Sequence, residues 1–81
     1  MKYYISKPIS HKLDERIVSG IRIVDSESII VDSIDEADVC VFQSGWTSSS
    51  KCISDHHYAR NKRIKRHEGY LYIDKYKTKI N

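Results

Sequence analysis

The chain has 81 residues, enough for one domain and no more, so residues 1–81 read as a single unit. An apolar fraction of 40% and a charged fraction of 31% suit a folded globular protein rather than a disordered one. The longest apolar runs, Val39–Phe42 and residues 70–73, fall far short of the roughly 20 residues a membrane span needs, so no membrane partner is expected.

A chain this short buries only about 60% of the surface its unfolded form exposes. Its core is therefore small, and a partner subunit would help. Met1-Lys2-Tyr3-Tyr4-Ile5 lacks an apolar stretch followed by a small-residue cleavage site, so a signal peptide is not expected. Cys40 and Cys52 have no CxxC spacing, which argues against a disulfide scaffold or a zinc knuckle and fits a reducing, cytoplasmic setting. Charge is uneven. Residues 1–42 carry five Lys/Arg against eight Asp/Glu, whereas residues 43–81 carry nine against three. The basic half can attract phosphates in a nucleotide, in nucleic acid or on an acidic protein.

In chain order, Tyr3-Tyr4-Ile5 predicts a first strand over 2–6, stopped by Pro8. Ser10 is a candidate cap for a helix over 11–19, with Leu13, Ile17 and Val18 on one face and Gly20 as its breaker. Ile21, Ile23 and Val24 predict a second strand. Asp25 or Ser26 is placed to cap a helix over about 27–36, where Ile30, Ile34 and Ala37 fall at i, i+4, i+7. The continuous apolar run Val39–Phe42 is the most strand-like segment of the chain. After a turn at Gln43-Ser44-Gly45-Trp46, a long helix over 49–66 is expected, ended by Gly69. A last strand is expected over 70–73, with residues 74–81 a polar tail or an edge strand. Strands alternating with helices imply an α/β fold with a mainly parallel four-stranded sheet, flavodoxin-like order 2-1-3-4, flanked by helices. Ligands of such sheets bind beyond the carboxyl ends of the strands, where strand order reverses.

Two loops leave those ends. The first is Ser6-Lys7-Pro8-Ile9-Ser10. The second, Ser44-Gly45-Trp46-Thr47-Ser48-Ser49-Ser50, carries the better signal. Free N–H groups at a helix start favour a phosphate, Gly45 permits close backbone approach, and the hydroxyls add donors. The bland alternative is that the serines only cap the helix. Trp46 offers a flat face for a base or for a neighbouring subunit. Asp55 lies one to two turns into the helix, where a carboxylate can face a sugar or simply be solvated. His56 and His57 are adjacent, project about 100° apart and do not chelate one metal, so no metal is assigned. His56 is expected to pack on the inner face, bonded to backbone, Asp38 or Tyr4. The run Arg60-Asn61-Lys62-Arg63-Ile64-Lys65-Arg66 reads as nucleic-acid binding, as ligand-phosphate binding or as a solvated helix end, with the last favoured by the helix dipole. No RRM, KH or zinc-finger signature supports the first.

Together these pieces resemble the nucleoside 2-deoxyribosyltransferase-like proteins, and among them the small phage and bacterial domain of unknown function numbered 4406. Tyr3-Tyr4-Ile5-Ser6-Lys7-Pro8-Ile9-Ser10 is similar to the family's opening YISGPIS. Residues 33–46, ending in Phe42-Gln43-Ser44-Gly45-Trp46, resemble its strand and Gly-Trp turn. Ser48-Ser49-Ser50-Lys51-Cys52-Ile53-Ser54-Asp55-His56 resembles the helix start that follows, with its acid-His pair. The resemblance implies a compact Rossmann-like fold, a small phosphorylated nucleoside as ligand and no cofactor. It implies that Ser48, Ser49 and Ser50 hold phosphate or sugar hydroxyls and that the loop with Ser6 and Lys7 cradles the other side. From the loops themselves, Gly45 and Trp46 are expected to border the ligand, and Lys7 or Lys51 to supply counter-charge. In active relatives a helix carboxylate attacks C1′ and displaces the base, and Asp55 aligns with it. Three departures bear on turnover: Lys7 and Lys51 stand where the family has Gly, and Asp55 is one methylene shorter than the usual Glu. The expected function is therefore nucleotide binding with degenerate catalysis. The alternatives are an active N-glycosidase or deoxyribosyltransferase using Asp55, and a small basic protein that grips nucleic acid or a host protein through Arg60, Lys62, Arg63, Lys65 and Arg66. A homodimer or larger assembly is expected from the small core and from Tyr3, Tyr4, Trp46, Tyr70 and Tyr72.

Overall fold

The computed structural model describes residues 1–70. Strand β1 (Lys2–Ser6) and strand β3 (Val39–Phe42) lie where the aromatic and β-branched runs place them. They run parallel in the register Tyr3↔Val39 to Ser6↔Phe42. Strand side chains alternate between faces, and here the alternation builds two half-cores. Tyr3, Val39 and Val41 pack on one face with Ile17 and Ile21. Cys40 and Phe42 pack on the other with Ala59, Tyr4 and Trp46. All four residues of β3 are buried, as a strand covered on both faces requires.

The sheet is all parallel, in the order β2-β1-β3-β4. The expected order is therefore present, but its outer strands come from other segments. Helix α1 spans Glu15–Val24, not 11–19, and absorbs the stretch read as a second strand. Asp14, rather than Ser10, caps it by accepting from the Arg16 N–H at 3.0 Å. Ile17, Gly20 and Ile21 are its buried stripe, so Gly20 lies buried inside the helix rather than breaking it. Strand β2 is the two-residue segment Ile29–Ile30, inside the region expected to be helical. Its β-branched residues resist helix formation and pair with Lys2 and Tyr3. What remains of that helix is a 3-10 turn at Ile34–Glu36, capped by the Ser33 hydroxyl.

Helix α2 spans Ser50–Asn61 and ends well before residue 66. Its end is a two-bond αL cap in which Ile64 N donates to the Ala59 carbonyl at 2.8 Å and Arg63 N to the Arg60 carbonyl at 3.3 Å. Arg63 takes the left-handed position there, at φ 58°, where glycine is usual. The chain then turns into β4 (Lys65–Glu68), parallel to β3. A strand of Lys-Arg-His-Glu carries no apolar signal. It forms because the β3 edge offers unpaired backbone groups that need partners. Residues 71–73 of the expected last strand, and Tyr72 with them, lie outside the described residues.

No helix among the described residues is long and apolar enough to cross a membrane. Cys40 and Cys52 are both buried and free, and burial pushes the Cys40 thiol up to about 12. Of the aromatics offered for assembly, Tyr3 is buried within the chain, and Tyr4, Trp46 and Tyr70 are half-buried.

Candidate functional site

The order β2-β1-β3-β4 reverses direction between β1 and β3, so the loops that follow them diverge from neighbouring points. Ser6 and Phe42 are register partners at that point. A cleft of about 720 Å³ opens there. One wall is residues 8–11; the other is Gly45 with residues 48–51.

Gln43 holds the two walls together. Its backbone N–H donates to the Ser6 carbonyl at 2.9 Å. Its side chain is 5% exposed, accepts from the Asp14 N–H at 2.9 Å, and donates to the Lys12 carbonyl at 2.8 Å. This one amide fixes the β1–α1 loop against the end of β3. Gly45 then lets the walls approach. It sits at φ 91°, and a Cβ there would come within 2.8 Å of the His11 ring. The ring is exposed and can swing away, so the larger penalty is the backbone conformation, about 1–2 kcal/mol. Gly45→Ala is expected to lower unfolding stability by that amount in urea titration and to displace His11 from the cleft wall. An unchanged midpoint would contradict this geometry.

The serines divide their roles. The Ser49 hydroxyl caps α2, accepting from the Cys52 N–H at 3.3 Å. Ser48 and Ser50 are exposed on the cleft wall. Among the described residues, the N–H groups of Ser50 and Lys51 have no hydrogen-bond acceptor. Two donors at the positive end of a 12-residue helix are thus left without a partner among the described residues, on segments that line the cleft.

Asp55 sits one turn behind Lys51. Its Oδ2 accepts from the Ser6 hydroxyl at 2.8 Å, from the Lys51 ammonium at 3.0 Å, and from the Tyr4 hydroxyl at 3.5 Å. Lys51 also donates to the Tyr4 oxygen at 2.9 Å. Burial works against the Lys51 charge, but the bonds to Tyr4 and Asp55 outweigh it, and its pKa lies above the ordinary lysine value. Lys51 lines both the main cleft and a neighbouring cavity of about 360 Å³ that includes Tyr4, Leu13, Ile30 and Asp32.

The other expected residues go elsewhere. Ser6 is fully buried and reaches the site only through Asp55. Lys7 donates to the His11 carbonyl at 2.9 Å and borders the smaller cavity. Trp46 does not line the cleft; it stacks on His56, with ring centroids 4.7 Å apart and planes 11° apart, and packs against Phe42. His56 therefore finds aromatic partners and Arg66, rather than Asp38 or Tyr4. Desolvation, with Arg66 beside it, lowers its pKa. No group of three His, Cys, Asp or Glu among the described residues is arranged to hold a metal ion. The contributions of Gln43, His11 and Tyr4 were not visible in the sequence; a glutamine ending a buried strand was the available clue, because such a side chain needs partners.

Comparison with known proteins identifies no relative: the chain matches no family model, no curated protein and no solved structure.

Proposed function

We propose that the chain binds a nucleoside monophosphate or a related small phosphorylated nucleoside in the cleft between the β1 and β3 loops, without turning it over. The observation that carries this reading is the pair of free N–H groups at the start of α2, set beside the Ser48 and Ser50 hydroxyls and the Lys51 ammonium. A phosphate is the ligand such donors suit, and each charge-assisted bond contributes roughly 1.5–3 kcal/mol. Two or three give affinity in the micromolar range once the ligand is ordered. The resemblance of residues 3–10, 33–46 and 48–59 to nucleoside 2-deoxyribosyltransferase-like proteins supports a nucleoside as the remainder of the ligand. Asp55 lines neither the cleft nor the smaller cavity, and would act on the ligand through the Lys51 ammonium that it holds.

The hydrogen bonds that hold Asp55 support a reading without turnover. A carboxylate oxygen that accepts from both an ammonium and a buried hydroxyl is a weakened nucleophile. Calorimetry against a panel of nucleoside monophosphates should give micromolar binding to at least one, and no heat with any of them would remove the proposal. Chromatography after long incubation should show no free base. Base release that is lost in Asp55→Ala would instead establish the transferase or glycosidase reading.

A further inference from the structure

The basic run near the end of α2 is not a helix end. It is a helix turn, a left-handed residue and an edge of the described sheet. This path gathers Arg60, Arg63, Lys65 and Arg66 around one groove of about 440 Å³, together with His56 and Ile64. Glu68 also borders it, yet among the described residues no carboxylate forms an ion pair with any of the four cations. Lys62 lies apart, its ammonium 5.9 Å from the centre of the Tyr58 ring. The groove is separate from the nucleotide cleft, sharing no lining residue with it.

Arg63 is the informative member. Its backbone is left-handed, at φ 58°, in the position of the helix cap that glycine usually fills. A side chain there is disfavoured. The chain nevertheless places a cation at that point, on the rim of a groove already lined by three others.

We propose that this groove binds the phosphodiester backbone of single-stranded nucleic acid. Three of its four cations are arginines, whose planar forks suit phosphate oxygens. A strand of phosphates can follow a concave basic channel without base-specific contacts. A duplex is less suited: α2 buries Cys52 and Ala59 against the sheet and its Arg60 end folds straight back into β4, so no helix projects to enter a major groove. An acidic peptide is less suited because the groove offers no deep apolar pocket for an anchoring side chain; Ile64, its one aliphatic residue, is itself half-buried in the core.

The test uses the whole chain and fluorescence anisotropy of a labelled dodecameric oligothymidylate. Binding is expected in the micromolar range at about 50 mM salt, with a log–log salt slope near −3 for four neutralised phosphates. Arg63→Gly is the decisive variant, because it removes a cation while relieving the backbone. Its melting temperature should be at least that of the parent. Its affinity should fall about three- to tenfold, and its salt slope should become shallower by about 0.7. Ser48→Ala and Ser50→Ala, in the other cleft, should leave oligonucleotide binding unchanged, so failure here is distinguishable from failure of the nucleotide proposal. Absence of binding at low salt, unchanged affinity in Arg63→Gly, or tighter binding of a duplex or of polyglutamate would each overturn the proposal.

Discussion

Phe42→Ala is expected to remove the cooperative thermal transition or to lower its midpoint by more than 10 °C, on the order of what a 3–5 kcal/mol loss produces in so small a domain. Phe42 is fully buried at the end of the central strand β3. It touches both Trp46, at 5.1 Å between ring centroids, and His56, at 5.0 Å, and so joins the sheet to α2 and to the turn before it. Truncation leaves a cavity that these two rings cannot fill without unstacking from one another. A chain of this length has a total stability of only about 4–12 kcal/mol, so the loss is a large share of it. Trp46 is the one tryptophan in the sequence, and its fluorescence should shift to the red in the variant. Ile9→Ala is the contrasting case: Ile9 is 81% exposed and its truncation should move stability by less than about 0.5 kcal/mol. Near-equal midpoints for Phe42→Ala and the parent would mean that α2 does not pack on β3 as described.

The sequence was most readable where local and tertiary demands agree. β1 and β3 carry aromatic or continuous apolar runs, and a buried parallel strand wants both. The start of α2 is equally plain, because the Ser49 cap and the turn glycine Gly45 are local signals. Its end is not. The residue in the left-handed cap is Arg63, and nothing in Arg60-Asn61-Lys62-Arg63 announces a stop. β4 is hidden for the same reason, since backbone pairing with β3 determines it while its side chains are polar. In α1 the opposite error arises. Ile21, Ile23 and Val24 have strand propensity, but Ile17, Gly20 and Ile21 present one helical stripe to the sheet, and packing overrides propensity. The site divides in the same way. Its helix wall, Gly45 to Lys51, is contiguous in sequence and legible. The bonds that hold it, Gln43 to Lys12 and Ser6 to Asp55, join residues 31 and 49 positions apart and leave no local trace.

Lys51→Met is expected to weaken nucleoside monophosphate binding about ten- to hundredfold, the effect of losing one charge-assisted bond and exposing the carboxylate it covers. Among the described residues, Lys51 is the one Lys or Arg that lines the cleft. Its ammonium is shared between Tyr4, Asp55 and any anion that enters. Removing it takes away an attraction and leaves Asp55, held by the Ser6 hydroxyl, as an uncompensated negative charge behind the phosphate. Asp55→Asn should therefore act in the opposite direction. It releases Lys51 from a competing carboxylate, and phosphate affinity should rise severalfold. The gain from Asp55→Asn should be larger in the Lys51→Met background, where the carboxylate is uncompensated, than in the parent, a non-additivity expected only if both residues act through one site. Lys51→Arg keeps the charge and should stay within a few-fold of the parent, which separates loss of charge from loss of fold. The pH dependence has a definite sign. The Lys51 pKa is raised above the ordinary lysine value, so its charge is constant through neutrality. A phosphate monoester takes its second charge near pH 6. Affinity should then climb between about pH 5 and 7, as the ligand gains that charge, and stay level to above about pH 8. Calorimetry across that range reads both effects. Unchanged affinity in Lys51→Met, with the fold intact, would place the phosphate somewhere other than the start of α2.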